Sequence, residues 1–247
     1  MVSNEKTIFI LGSTRGIGLA IAEHYAKAGW KIIGTARASS NLEKLEALSP
    51  FKVVVLDASD EASVSEVARQ LKDIPIDLLI NNAGVGIPGT LTTATKDDYI
   101  RQFEVNSIGP FLVTRALLPN LELAAQTNGT ASVAQISSIM GSIGNNTVET
   151  AGDYSMLYGY SASKVALNMI MRTMAIELRE SNILMVSLHP GCVVTELTQD
   201  HVTKNRDAMT PAESAAKMAE ILAKLTPTDT GKFLSADSNA PTRELPW

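Results

Sequence analysis

Only one cysteine, Cys192, occurs in 247 residues, which excludes an internal disulfide and fits a reducing compartment. Histidine is nearly as scarce. His24, His189 and His201 are scattered without metal-ligand spacing, so each reads as structural and no metal is expected. Charged residues make up 19% of the chain, the formal net charge is −5 and no basic run occurs, which argues against a nucleic-acid surface. No uninterrupted apolar run approaches the ~20 residues of a membrane-spanning helix, so no membrane partner is expected. Residues 1–6 are polar and lead straight into an apolar segment, leaving no room for a secretory leader. These absences point to a cytoplasmic protein.

What is present is a hydrophobic fraction of 45% in a chain long enough to bury one sizeable core, and a single domain over residues 1–247 is expected. Short apolar runs at 7–11, 31–36, 51–56, 76–80, 132–136, 184–188 and 232–234 read as strands. Between them, helical patterns start at Ile17 and run over 60–72, 96–123 and 156–179. Thr210-Pro211-Ala212-Glu213 opens another with a capping box and proline at its first position. Alternating strands and helices predict an α/β chain: a Rossmann-type doubly wound fold, with about seven parallel strands flanked by helices and the ligand crevice at their carboxyl ends.

The first strand runs into Gly12-Ser13-Thr14-Arg15-Gly16-Ile17-Gly18 and then a helix. Glycines let a backbone turn sharply and approach a pyrophosphate, while the first helical amides offer unsatisfied donors. Alone, the spacing also suits a tight turn without a ligand. The second strand ends at Ala36-Arg37 without the Asp or Glu that accepts the hydrogen bonds of a ribose diol. Arg37, with Arg15 in the loop, instead suits a 2′-phosphate, which favours NADP(H) over NAD(H). Asp57 closes the third strand and either faces the crevice or caps the helix behind it. Asn81-Asn82-Ala83-Gly84 follows the fourth strand, where turn chemistry is the plainer reading. Asn106 precedes Gly109-Pro110, which is expected to bend or unwind the helix around it. The fifth strand delivers Ser137-Ser138 to the same sheet edge.

Tyr160 and Lys164 lie four residues apart on a predicted helix, so both project from one face. A phenol ionises near pH ~10 and is a poor acid–base group unless a neighbouring ammonium favours the phenolate. By themselves the two also fit a solvated helix face. Residues 141–153 read as a loop over the crevice, and 196–209 as a mobile lid.

In this order, Gly12-x-x-x-Gly16-x-Gly18, Asn81-Asn82-Ala83-Gly84, Asn106, Ser138, Tyr160-x-x-x-Lys164 and Pro190-Gly191 resemble the short-chain dehydrogenase/reductase family over nearly the whole chain. Gly-Tyr-Ser-Ala-Ser-Lys, His-Pro-Gly-Cys-Val-Val-Thr and Leu-Pro-Trp are similar to the carbonyl reductases grouped with the C-factor and sniffer proteins. The resemblance implies that Tyr160 protonates a carbonyl oxygen as NADPH delivers hydride to its carbon, with Ser138 hydrogen-bonding that oxygen. It implies that Lys164 lowers the phenol's pKa and holds the nicotinamide ribose, and that Asn106 positions a water in the proton relay. For the cofactor it implies Gly12, Ser13, Arg15, Gly16, Ile17 and Gly18 at the pyrophosphate and Asp57 at the adenine. Asn82, Ala83, Gly84, Pro190, Gly191, Val193 and Thr195 would line the ribose and carboxamide.

The chain departs from the family in three places. Leu11 replaces the usual threonine before the first glycine. Ser138 and Tyr160 are 22 residues apart, a long step. Tyr154 and Tyr158 crowd the site as candidate substrate contacts, and Ser137 stands as a rival to Ser138. The expected partner is a small carbonyl or alcohol substrate, and the helices beginning at Lys96 and Met156 offer a surface for a homo-oligomer. A cofactor-binding regulator with little turnover is the alternative function.

Overall fold

The computed structural model describes residues 5–198, 208–240 and 242–247. Seven strands, β1 Thr7–Leu11, β2 Lys31–Ala36, β3 Lys52–Val55, β4 Leu78–Asn81, β5 Ala131–Ile136, β6 Ile183–His189 and β7 Lys232–Ser235, form one sheet. Its order is β3-β2-β1-β4-β5-β6-β7, and neighbouring strands pair in parallel throughout. The chain winds outward in one direction from β1 and in the other from β4. That switch point is where an open α/β sheet holds its ligand.

Alternate side chains of each strand enter two separate cores. Phe9, Leu79, Val133 and Met185 pack against Val113, Leu117, Leu121 and Met171 on one face. Ile8, Ile10, Ile80 and Val186 pack against Leu19, Ala22, Met218 and Ile221 on the other. Each of the larger side chains among these contributes roughly 1.5–3 kcal/mol on burial. Both faces are covered, which is why the strands read as continuous apolar runs.

The helices are α1 Gly16–Lys27, α2 Glu43–Glu46, α3 Glu61–Gln70, α4 Lys96–Phe103, α5 Gly109–Ala116, α6 Leu118–Asn128, α7 Ala151–Tyr154, α8 Tyr158–Glu177 and α9 Pro211–Ala223. Gly29, at φ +79°, stops α1, and Thr210 and Glu213 form the expected capping box on α9. Several boundaries differ from expectation. The single helix expected over 96–123 is three, joined by a π-helical turn at Glu104–Ile108 and a break at Leu117. Pro110 and Pro119 lack amide hydrogens, so the ladder is interrupted at both places. The helix expected from 156 begins at Tyr158, because Met156 takes φ +62°, a left-handed conformation no helix continues. Asn81 belongs to β4 and donates to the Thr114 hydroxyl at 2.9 Å. Asp60, not Asp57, caps α3, accepting from the Ala62 amide at 3.0 Å.

Candidate active site

The strand ends and the loops after them enclose a crevice of about 840 Å³, within the range of small-molecule pockets. Its wall takes in every site residue assigned from sequence except Ser13, Gly18 and Asn106. Those three lie behind it and shape it.

At the glycine loop, Gly12 (φ +77°) and Gly16 (φ +55°) occupy left-handed conformations that favour glycine. A Cβ on Gly18 would lie 1.9 Å from the Gly12 carbonyl oxygen, so α1 meets the loop as closely as a backbone permits. Asn82 donates to that carbonyl at 2.8 Å, which ties the loop to the end of β4. The loop after Leu11 is tied to β2. The Gly12 amide donates to the Thr35 hydroxyl at 2.8 Å, and Ser13 exchanges bonds with the Thr35 backbone at 2.9 and 3.0 Å. A threonine on β2 thus pins the loop.

Arg15 precedes α1 in extended conformation and caps it with no side-chain hydrogen bond. The amide end of α1 therefore opens on the crevice, the donor set a pyrophosphate needs. Arg15 pairs with Glu196 at 2.8 Å, both side chains mostly exposed, a contact that contributes little to stability. Arg37 lines the far end with Ser40 and Lys44, which the sequence reading did not assign. The Arg37 amide donates to the Ser40 hydroxyl at 3.1 Å, and the Ser39-Ser40 pair, one residue beyond Arg37, was the available signal. Asp57 accepts from the Ser59 hydroxyl and amide at 2.6 and 2.9 Å, and these bonds hold its carboxyl below the usual range. The residues present fit a nicotinamide dinucleotide, with the amide end of α1 at its pyrophosphate.

At the other end, Tyr160 stands half-buried in the first turn of α8, with a hydrogen bond between its side chain and that of Ser138. Lys164, one turn on, is buried and donates to the Ile136 carbonyl, the last of β5, at 2.8 Å. Its ammonium lies 5.8 Å from the Tyr160 ring centre. The expectation that Lys164 lowers the phenol's pKa is corrected here. Burial raises Tyr160, the Ser138 bond lowers it by less, and burial also pushes Lys164 down to about 8. Tyr160 is therefore protonated at neutral pH, the form an acid requires.

Asn106 sits in the π-helical turn, fully buried, with its side chain already engaged. It clamps the Val85 amide and carbonyl, each at 2.8 Å, and donates to Ser163 Oγ at 2.9 Å. Ser163 in turn donates to the Tyr160 carbonyl at 2.7 Å. Asn106 thus braces the crevice floor and the turn carrying Tyr160.

Ser138 caps the short 3₁₀ turn Ile139–Gly141, which three further side chains hold. His189 Nδ1 accepts from the Ile139 amide at 3.2 Å, so the ring carries its proton on Nε2. Burial, only partly opposed by Asp237, pushes His189 down to about 4. Asn168 donates to the Gly141 carbonyl at 3.0 Å. Tyr154 donates its hydroxyl to the Ile139 and Ser142 carbonyls, at 3.1 and 3.2 Å, so it serves this turn rather than a substrate. The loop expected over 141–153 does not form the crevice wall, which passes from Ser138 to Tyr160. It holds α7 and packs against Pro246 and Trp247.

Gly191, at φ +87°, and Val193 continue the wall, and Thr195 faces Gly16. Leu197, unassigned from sequence, leans over Gly86 toward Tyr160 and makes that end apolar. Of the lid expected over 196–209, residues 199–207 lie outside the described residues, His201 among them. Among the described residues no helix is long and apolar enough to cross a membrane.

The family model for short chain dehydrogenase matches residues 6–206. An uncharacterized oxidoreductase of Saccharomyces cerevisiae is 31% identical over 96% of this chain and 97% of its own. The C-signal protein of Myxococcus xanthus is 37% identical over 70% of this chain and 93% of its own. NADPH-bound carbonyl reductase from chicken fatty liver superposes with a TM-score of 0.87 at 31% identity, covering 98% of this chain and 99% of that one. Carbonyl reductase Sniffer of Drosophila melanogaster does so with 0.82 at 26% identity, over 99% of each chain. Sequence and fold agree over the whole described chain, and the protein is an oxidoreductase of the short-chain dehydrogenase/reductase family.

Proposed function

We propose that the protein reduces a small carbonyl compound, an aldehyde, ketone or quinone, with NADPH, or runs the reverse oxidation of the alcohol. The observation carrying this reading is the meeting of Tyr160, Ser138 and Lys164 at one end of a crevice whose other end suits a dinucleotide. A reduced nicotinamide supplies hydride when bound. The chain's own part is to manage the oxygen and the proton.

Ser138 Oγ hydrogen-bonds the substrate oxygen, and Tyr160 gives that oxygen its phenolic proton as negative charge gathers there. Burial keeps the phenol protonated until the transfer. Lys164 faces the phenolate left behind, held by its bond to Ile136. Asn106, through Val85 and Ser163, fixes the backbone around both. Leu197 and Val85 border the substrate end, where a neutral apolar group is accommodated.

NADPH is the proposed cofactor because β2 ends without a carboxylate and Arg37 and Lys44 face the adenosine end. A regulator that binds the cofactor without turnover has no use for a converging tyrosine–serine–lysine set, which weighs against that alternative. The test follows NADPH consumption against a panel of aldehydes, ketones and quinones, with Tyr160→Phe beside the parent. Turnover by the parent and a loss of about 10²–10⁴-fold in the variant, with NADPH binding retained, is expected. NADPH binding without turnover of any carbonyl by the parent would bring the regulator reading forward.

A further inference from the structure

A 3₁₀ turn of three residues, Ile139–Gly141, is too short to hold itself, yet it carries Ser138 to the phenol of Tyr160. Its extension, Ser142 to Gly144, is seized by residues about a hundred positions away. Ser142 Oγ donates to the Pro246 carbonyl at 2.6 Å and accepts from the Asn145 amide at 3.1 Å. The Gly144 amide donates to the Trp247 carbonyl at 2.8 Å. A Cβ on Gly144 would lie 3.1 Å from Pro246 and 3.2 Å from Trp247, so the two backbones lie directly against each other.

The other end of this contact is anchored in the sheet. The Trp247 ring stacks on Phe233 of β7 with centres 5.7 Å apart and planes 25° apart, and the Leu245 amide donates to the Phe233 carbonyl at 2.8 Å. Phe233 is fully buried, and Leu245 nearly so. A continuous line of contacts therefore runs from the core of β7 through Trp247 and Ser142 to the turn that places Ser138.

We propose that Pro246 and Trp247 form a positioning strap for Ser138, setting the distance between its hydroxyl and Tyr160. The proposal rests on the reductase reading of that pair for its kinetic part. Neither residue touches the crevice wall, so cofactor binding does not depend on the strap. Misplacement of a reacting group by about 1 Å costs on the order of 10²-fold in rate, and a partial slackening correspondingly less.

The test compares Trp247→Ala, Trp247→Phe and Ser142→Ala with the parent by steady-state kinetics, NADPH titration and amide hydrogen exchange of the NADPH complex. Trp247→Ala is expected to lower kcat about tenfold while KM and the NADPH dissociation constant stay within about twofold. Amides of 139–144 should exchange about tenfold faster, with those of α1 unchanged. Trp247→Phe, which keeps a ring on Phe233, should restore both, and Ser142→Ala should move in the same direction as Trp247→Ala. Parental kcat in Trp247→Ala overturns the proposal, as does loss of NADPH affinity with faster exchange throughout the chain. Should Trp247→Ala fail to fold, Ser142→Ala decides by the same criteria. Should the parent turn over no carbonyl, the reductase reading fails by itself. Exchange then judges the strap: acceleration confined to 139–144 supports it and parental exchange refutes it.

Discussion

One peptide bond separates Ser137 from Ser138, and only the Ser138 hydroxyl is bonded to Tyr160. Ser137 Oγ is buried without a partner among the described residues, while its amide donates to the Leu188 carbonyl at 2.8 Å as part of the sheet. Extending β5 by one residue commits Ser137 to the ladder and leaves Ser138 to turn outward. Ser138→Ala should therefore lower kcat by about 10²-fold, the usual cost of one donor at a developing oxyanion. Ser137→Ala removes an unsatisfied hydroxyl and should leave kcat near the parental value. Steady-state kinetics on both variants decide the matter, and the opposite ranking would move the role to Ser137.

Arg37 governs the choice of nicotinamide nucleotide if its guanidinium meets a 2′-phosphate. A hydrogen bond to a charged group contributes roughly 1.5–3 kcal/mol, so Arg37→Ala should weaken NADPH about 10- to 100-fold. NADH, lacking the phosphate, should change by no more than about twofold. Fluorescence titration with each nucleotide measures the two losses. Equal losses would mean that Arg37 binds a part common to both.

His189 makes the protein acid-sensitive. Its folded pKa of about 4 lies below the ordinary histidine value near ~6.5, so the unfolded chain binds more protons between those limits. The stabilisation is complete above about pH 6.5 and is lost as pH falls through about 4, amounting to about 3 kcal/mol for this one group. The protonated ring would also turn a donor toward the Ile139 amide. Urea unfolding at pH 7 and pH 4.5 should show a smaller loss for His189→Asn than for the parent. Identical losses would assign the acid sensitivity elsewhere.

Gly18 has no room for a methyl group. With a Cβ 1.9 Å from the Gly12 oxygen and 2.5 Å from Asn82 Nδ2, Gly18→Ala must push α1 off the loop, at a cost of about 3 kcal/mol or more. NADPH affinity should fall together with melting temperature. Gly29→Ala is the control, because its Cβ would meet nothing within 4 Å. That change should cost about 1–2 kcal/mol of backbone strain and leave NADPH binding intact.

The strand–glycine–helix unit and the Tyr160–Lys164 pair were legible because both depend on residues close in sequence, whose spacing alone sets their geometry. The interruption near Asn106 was legible for the same reason, since Gly109-Pro110 announces it. What Asn106 binds was not, because Val85 is 21 residues away and the contact is a property of packing. The bond from Gly12 to Thr35 also hides across two strands. Tyr154 is the clearest misreading. Its position near the pair suggests a substrate contact, but the left-handed turn at Met156 leaves it on α7, outside α8, with its hydroxyl on backbone carbonyls.

The ends of the sheet carry a consequence for the protein's behaviour in a crowded solution. A strand edge with open amides and carbonyls recruits other chains, and each edge here is blunted by different means. β3 is only four residues long, begins with Lys52 and leans that lysine back on the Gln70 carbonyl. β7 is covered by residues 243–245, which pair with it antiparallel through Ser235 to Arg243 and Leu245 to Phe233. Residues 243–245, which lead into the strap, thus also close the hydrogen-bonding row of β7, so damage to this stretch would surface as aggregation as well as slow turnover.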